Sequence, residues 1–194
     1  MIVRPGRPGD ASAIARLIDL AGDGLPMLLW GAMGATSGSG ALHTGRRLVE
    51  SRDGPCSHRH AWVAVIRGQI AAAVLGDTVQ GDLSPPRPFD PPIVRTLLDL
   101  QGLARRTYMI SNLATFPAFR RQGCATALLH RTQILARAAG VPAISLIVAT
   151  ANEQAVHFYL HHGFREEARR PIPPFPGFQR TGDWSFLARP VEAV

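Results

Sequence analysis

Arg120-Arg121-Gln122-Gly123-Cys124-Ala125 joins a predicted strand to a predicted helix through a basic turn that contains one glycine. Before the turn, residues 108–115 are rich in apolar and β-forming side chains, which predicts a strand. After it, apolar residues recur with the helical period. The helix is expected to bury the face formed by Ala125, Leu128, Leu129, Thr132, Leu135 and Ala139. The opposite face is expected to carry His130, Gln133 and Arg137 toward solvent.

A turn of this kind is suited to binding phosphate. The first N–H groups of a helix lack intrahelical acceptors, and the helix dipole places about half a positive charge at the same end. Gly123 lets the backbone approach an anion closely, and the small side chain of Ala125 keeps that approach open. The alternative is an ordinary helix start with two solvated arginines. The spacing matches neither the Walker nor the Rossmann pattern, so both of those phosphate-binding motifs are excluded.

The rest of the sequence predicts further elements of a single α/β domain covering residues 1–194. Strands are expected at 1–4, 143–150, 164–170 and 184–189, and a hairpin at 60–67 and 69–79 that turns at Gly68. Helices are expected after the N-cap Asp10, at 25–33, 44–51 and 93–102, and after the capping box Thr150-Ala151-Asn152-Glu153 as far as the C-cap Gly163. The order of strands and helices in the last third favours some parallel pairing.

Composition narrows the possible functions. The chain has 21 basic and 14 acidic residues, a net charge of +7, and no lysine. Schiff-base chemistry, a lysine base and a P-loop lysine are therefore excluded.

The two cysteines, Cys56 and Cys124, are too few for a disulfide framework and lack metal-ligand spacing. No signal peptide or spanning segment is recognisable, so we expect a soluble cytoplasmic protein without a membrane partner. The arginines are scattered without a nucleic-acid-reading motif, so no nucleic-acid partner is expected either.

The turn also resembles a known family. The six residues from Arg120 to Ala125 match the pattern Q/R-x-x-G-x-G/A of the GNAT N-acetyltransferases, and the resemblance extends upstream through Leu113-Ala114-Thr115-Phe116-Pro117. Downstream, residues 152–164 match a second pattern, N-x-x-A-x-x-F-Y-x-x-x-G-F, through Asn152, Ala155, Phe158, Tyr159, Gly163 and Phe164. Two motifs at this separation are specific, and together they cover about residues 108–166.

The resemblance implies a fold and a cosubstrate. The fold is a mixed α/β architecture in which a mostly antiparallel sheet, with a splayed parallel strand pair at 108–115 and 143–150, is flanked by helices. Acetyl-CoA would bind between those strands as acetyl donor, with no metal. The backbones of Leu113 and Thr115 would bond its pantetheine arm, and residues 120–126 would hold its diphosphate. The full implied binding set is Leu113, Ala114, Thr115, Arg120, Arg121, Gln122, Gly123, Cys124, Ala125, Thr126 and Asn152.

The implied reaction is direct attack of a neutral amine on the thioester in a ternary complex. The acceptor is an unidentified small-molecule amine. A backbone N–H near Leu113 would stabilise the oxyanion. Tyr159 is the candidate acid for the departing thiolate by its place in the motif. Full proton transfer from a phenol of pKa about 10 to a thiolate of pKa about 8.5 is uphill by about 2 kcal/mol, so we expect a hydrogen bond instead. The alternative for Tyr159 is a buried aromatic that closes its helix against the sheet.

The sequence departs from the family pattern at the general base, because residues 107–115 contain no acidic side chain. Asp77, His161 and His162 are candidate relays, and a water relay or an amine of low pKa is equally compatible. The missing carboxylate motivates an alternative function, a non-catalytic acyl-CoA-binding sensor or regulatory module. By resemblance alone, a homodimer is compatible with the chain.

Three further features have ordinary interpretations as well as functional ones. His157 and His161 are four residues apart, as in some zinc sites, but no third ligand is evident and helix-surface histidines are favoured. Cys124 at a helix start is favoured as a packing residue over a nucleophile. The loops 24–45 and 81–92 are expected to line the acceptor pocket, which Trp30 and Phe89 would shape, whereas core burial is favoured for Trp62.

Overall fold

The computed structural model describes residues 1–35, 38–79, 81, 87 and 89–191. The chain divides into two compact units. Unit 1 comprises Met1–Gly76 and Ser111–Thr132, and unit 2 comprises Asp77–Ile110 and Gln133–Val194. Residues 82–86 and 88 of the proline-rich loop predicted at 81–92 lie outside the described residues. Among the described residues, no helix has both the length and the apolar character needed to cross a membrane.

Unit 1 holds the first strands and helices of the chain. They are β1 (Ile2–Pro5), α1 (Ala11–Ala21), α2 (Leu25–Ala35), α3 (Ala41–Glu50), β2 (Ala61–Ile66) and most of β3 (Gln69–Val79). The unit also includes the second half of β4 (Thr107–Thr115) and the first half of α5 (Cys124–Ala138). Its core is a cluster of buried apolar side chains from the helices and strands, among them Ile14, Leu17, Trp30, Val63 and Leu75.

Unit 2 holds the remaining elements. They are the end of β3, α4 (Pro92–Gln101), the first half of β4, the end of α5, β5 (Ala143–Ala149), α6 (Glu153–His161), β6 (Arg165–Pro171) and β7 (Asp183–Pro190). In the part of unit 2 that follows β4 along the chain, the largest fully buried side chains are those of Phe164, Phe186, Ile144, Leu146 and Leu187.

The strands form a mixed, mostly antiparallel sheet in the order β1-β2-β3-β4-β5-β7-β6. One pair is parallel: Thr107–Ile110 of β4 pair with Ala143–Leu146 of β5. The pairs β1–β2, β2–β3, β5–β7 and β6–β7 are antiparallel. The predicted hairpin is confirmed, and Gly68 at its turn has a left-handed φ of 78°. The fold class expected from the resemblance is therefore confirmed.

Four local predictions differ from the structure. Gln133 is buried where exposure is predicted, because the half-buried Arg189 provides a partner for its amide. Ala139, predicted to be buried, is exposed and follows the last residue of α5. Asn152 caps α6 in place of Thr150, whose hydroxyl bonds the backbone of Asp183.

The other two differences concern Trp30 and Asp10. Trp30 is 4% exposed and packs on Gly45 of α3, so it belongs to the core and does not shape a pocket. Phe89 is 96% exposed. Asp10 precedes α1 as predicted, but its side chain does not cap that helix. Its carboxylate instead accepts a forked hydrogen bond from Arg4, at 2.6 and 2.9 Å, and another from the Arg7 N–H.

Candidate functional site

The turn before α5 has an unusual backbone. A short 3-10 turn, Pro117–Phe119, ends with the Arg120 N–H donating to the Pro117 carbonyl. Arg121 then has a φ of 62° and Gly123 a φ of 78°, both in the left-handed region. A left-handed arginine is uncommon and costs about 1–2 kcal/mol, and alternation of backbone hand can turn successive N–H groups toward one point. The predicted turn is thus a tight, strained loop.

The N–H groups of this turn lack acceptors. Within the described part of the chain, no backbone carbonyl accepts from the N–H of any residue from Arg121 to Thr126. The first accepted N–H of α5 is that of Ala127, which donates to the Gly123 carbonyl at 3.0 Å. Helix α6 differs, because the Asn152 side chain accepts from the Ala155 N–H. The start of α5 therefore presents a run of donors that an anion would satisfy.

The side chains around these donors leave the turn open. Arg120, Arg121 and Gln122 are exposed, and the Gln122 amide donates to the Ala118 carbonyl at 3.3 Å. A methyl group built on Gly123 meets no atom within 4 Å. Two permanent cations, a run of free donors and open space together fit a diphosphate.

Cys124 takes no part in this exposed surface. Its side chain is 2% exposed, and burial raises the pKa of its thiol. A buried thiol of raised pKa is unreactive, which agrees with the packing role predicted for it.

Strand β4 carries the second predicted part of the site. Leu113, Ala114 and Thr115 are half-buried at its end, in unit 1. The Arg106 N–H bonds the Val79 carbonyl, and the Phe116 N–H bonds the Ala71 carbonyl. These two bonds join the residues that flank β4 to β3.

Asn152 and Tyr159 lie in unit 2. Asn152 is half-buried, and its carbonyl oxygen is committed to the α6 cap at 3.2 Å, which leaves its amide N–H₂ as the available group. Tyr159 is 7% exposed, and burial strongly raises the pKa of its phenol. Its ring makes edge contacts with Phe158 and Phe164, at centroid distances of 5.3 and 5.4 Å. Tyr159 is therefore a neutral hydroxyl held by an aromatic cluster.

The candidate bases have different surroundings. Asp77 is exposed, and its carboxylate accepts from the Thr78 N–H at 2.7 Å. Burial, together with the charge of Asp77, raises the pKa of Tyr108 to about 12. His161 is exposed. The Nδ1 of His162 donates to the Phe158 carbonyl at 2.7 Å, so the neutral ring has its lone pair on Nε2.

A metal site receives no support from the described residues, among which no group of three or more His, Cys, Asp or Glu side chains converges. The pair His157 and His161 thus stays without a third ligand in that part of the chain. The predicted interpretation as helix-surface histidines agrees with the exposure of both side chains.

Comparisons with known proteins show which family the chain belongs to. The model of the acetyltransferase (GNAT) family matches residues 39–164. An N-acetyltransferase structure from Staphylococcus aureus Mu50 is 18% identical, with a TM-score of 0.65 over 97% of this chain and 100% of that chain. The ribosomal-protein-S18-alanine N-acetyltransferase from Escherichia coli is 18% identical, with a TM-score of 0.61 over 100% of this chain and 95% of that chain. At these identities the likeness shows the fold. No curated protein matches the sequence. Because the family model covers more than half of the sequence and spans the phosphate-binding turn, the chain belongs to the GNAT acetyltransferase family.

Proposed function

We propose that this chain transfers an acetyl group from acetyl-CoA to the amine of a small-molecule acceptor. The observation that carries the proposal is the run of backbone N–H groups from Arg121 to Thr126 that no carbonyl accepts among the described residues. A helix start with six such donors and two flanking arginines is suited to an anion, which can replace the water at those donors. Membership of an acetyltransferase family supports the diphosphate of acetyl-CoA as that anion.

The binding residues would act through their backbones as much as their side chains. The N–H groups of Gly123, Cys124 and Ala125 would donate to the diphosphate, and the Arg120 and Arg121 guanidiniums would neutralise it. The backbone groups of Leu113 and Thr115 would bond the amides of the pantetheine arm as an added strand would. Asn152 would contribute its amide N–H₂, because its oxygen already caps α6.

The chemistry needs an oriented neutral amine and a stabilised leaving sulfur. A backbone N–H near Leu113 would stabilise the oxyanion formed by amine attack. Tyr159 would donate a hydrogen bond to the departing sulfur, and because burial raises its pKa further above that of a thiol, full proton transfer is disfavoured. The ammonium proton of the acceptor would leave through water or through Asp77, His161 or His162.

The first test separates catalysis from cofactor binding. The protein is incubated with acetyl-CoA and a panel of amines that spans pKa values from about 5 to about 10.5, while free thiol and acetylated product are measured. Amine-dependent thiol release supports the enzyme. Saturable acetyl-CoA binding without release on any amine favours the sensor or regulatory module instead. No thermal shift with acetyl-CoA and no release would overturn both.

A pair of variants tests the turn itself. Arg121→Gly removes a cation but keeps the left-handed backbone, and Arg67→Gly does the same at the exposed β2–β3 turn, where φ is 50°. Loss of a charge-assisted contact of about 1.5–3 kcal/mol should weaken CoA binding about 10- to 100-fold in Arg121→Gly, measured by calorimetry. Arg67→Gly should bind like wild type. Equal affinities in the two variants would contradict the assignment of Arg121 to the diphosphate.

A further inference from the structure

A polar group is buried in the middle of α5 where the sequence predicts a solvent-facing side chain. Gln133 is 5% exposed, and its Oε1 accepts a hydrogen bond from Nη2 of Arg189 at 2.8 Å. Arg189 lies on β7, 56 positions later in the chain. A buried amide opposite a guanidinium holds that guanidinium in one orientation, because its planar fork has a defined direction.

The same guanidinium reaches the end of α6. Its Nη1 donates to the His162 carbonyl at 2.9 Å, and its central carbon lies 5.1 Å from the centroid of the Phe164 ring. A cation is favoured both at a helix C-terminus and over an aromatic face. Arg189 therefore contacts the carbonyl of His162 (the C-cap residue of α6), the ring of Phe164, and Gln133 of α5.

Phe164 also contacts Tyr159. Phe164 is 1% exposed, its N–H donates to the Tyr159 carbonyl at 3.1 Å, and the two rings meet edge to face at 5.4 Å with an interplanar angle of 67°. The Phe164 ring therefore contacts both the Arg189 guanidinium and the Tyr159 ring. Neither Gln133 nor Arg189 belongs to the two sequence motifs, so both would be missed by a motif search.

We propose that Arg189, oriented by Gln133, is a positioning residue that fixes the Tyr159 ring through Phe164 and the end of α6. This inference rests on the proposed function, in which the Tyr159 hydroxyl bonds the leaving sulfur. Small misplacements of a reacting group by a remote change can lower rates by orders of magnitude, up to about 100-fold. Loss of the guanidinium should lower kcat about 10-fold and change KM for acetyl-CoA less than about 2-fold, since Arg189 is not among the residues proposed to bind it.

The experiment is a double-mutant cycle. Arg189→Met removes the fork and the charge while keeping a long side chain, and Tyr159→Phe removes the hydroxyl. Arg165→Met is the matched control, because it removes one positive charge from the exposed face of β6, the strand that pairs with β7. If Arg189 acts through Tyr159, Arg189→Met should lower kcat in the wild-type background and not in the Tyr159→Phe background. Arg189→Lys should restore part of the loss, and Arg165→Met should leave kcat unchanged.

A readout besides activity separates this inference from the proposed function. The chain has two tyrosines, Tyr108 and Tyr159, so ring signals of ¹³C-labelled tyrosine are assignable with Tyr159→Phe. In Arg189→Met the Tyr159 ring signal should shift or broaden while that of Tyr108 stays in place. A wild-type protein that never releases thiol would refute the proposed function, and the ring signals would still decide the positioning role.

Three outcomes would overturn the inference. They are a folded Arg189→Met variant with unchanged kcat and unchanged Tyr159 signal, multiplicative effects of Arg189→Met and Tyr159→Phe, or a rise of KM with kcat unchanged. If Arg189→Met does not fold, Gln133→Leu tests the same chain of contacts by removing the acceptor that orients Arg189. Gln133→Leu should lower kcat less than is expected for Arg189→Met, and should shift the Tyr159 ring signal in the same direction. An unchanged Tyr159 signal would count against the proposal.

Discussion

Gly123 offers a sharp test of the phosphate-binding turn, because the structure separates its conformational role from its spatial one. Its φ of 78° is left-handed, and a methyl group built on it meets no atom within 4 Å. Gly123→Ala therefore costs backbone strain of about 1–2 kcal/mol. The loss of chain freedom in the unfolded state offsets about 0.4–1 kcal/mol of that strain. We expect a net loss of unfolding free energy of about 1 kcal/mol, measured by urea denaturation.

The effect on ligand binding should be larger. The added methyl group would stand in the open space beside the free N–H groups, where it would hold a phosphate away from its donors. Loss of one charge-assisted hydrogen bond, about 1.5–3 kcal/mol, corresponds to about 10- to 100-fold weaker CoA binding. Isothermal titration calorimetry of CoA against the folded variant measures this directly.

Gly140 provides the matched control at the other end of α5. It has a φ of 67°, and a methyl group built there also meets no atom within 4 Å. Gly140→Ala should lose a similar unfolding free energy and bind CoA like wild type. Equal CoA affinity in Gly123→Ala and wild type, or an equal loss in both variants, would refute the assignment of this turn to the diphosphate.

Two further predictions concern stability. Arg4 hydrogen bonds hold the pKa of Asp10 below its usual range, so this carboxylate should stabilise the fold above the unfolded pKa near 3.9 and lose that contribution as pH falls through the folded pKa. Asp10→Asn should lower the unfolding free energy by about 2 kcal/mol at pH 7 and by much less near pH 2, in denaturant titrations at both pH values; a loss of equal size at both would contradict the ion pair. In Gly45→Ala the new methyl group would overlap the Trp30 ring, so unfolding free energy should fall by about 1–3 kcal/mol, and a stability equal to wild type would show that α3 can move to accommodate it.

Much of the fold followed from local patterns. The period of apolar residues predicted the helix of residues 124–138, alternation and Gly68 predicted the β2–β3 hairpin, and Gly163 predicted the end of α6. These features depend on backbone geometry and neighbouring residues, which a sequence displays directly. The bounds differ by a few residues, as at α3, which begins at Ala41 and not at Thr44. Helix ends depend on caps and tertiary contacts as well as propensity.

The errors came from side chains with distant partners. The period of α5 predicts an exposed Gln133, but Arg189 buries it. Capping preference favours Thr150, but the Asp183 backbone takes its hydroxyl and Asn152 caps the helix. Trp30 resembles a pocket aromatic in a glycine-rich segment, yet Gly45 lets it lie in the core. In each case the competing contact is formed by a residue that no local window contains.

The sequence by itself determined the turn from Arg120 to Ala125, the glycine that opens it to an anion, and the family to which it points, since each depends on residues adjacent in the chain. Tertiary structure decided which N–H groups stay without acceptors, how far burial raises the Tyr159 pKa, and which residues surround that ring. The physical reason is that solvation and pairing energies depend on every atom nearby. Phe164, which contacts the Tyr159 ring, also contacts the guanidinium of Arg189 on β7, and such contacts exist only after the chain has folded.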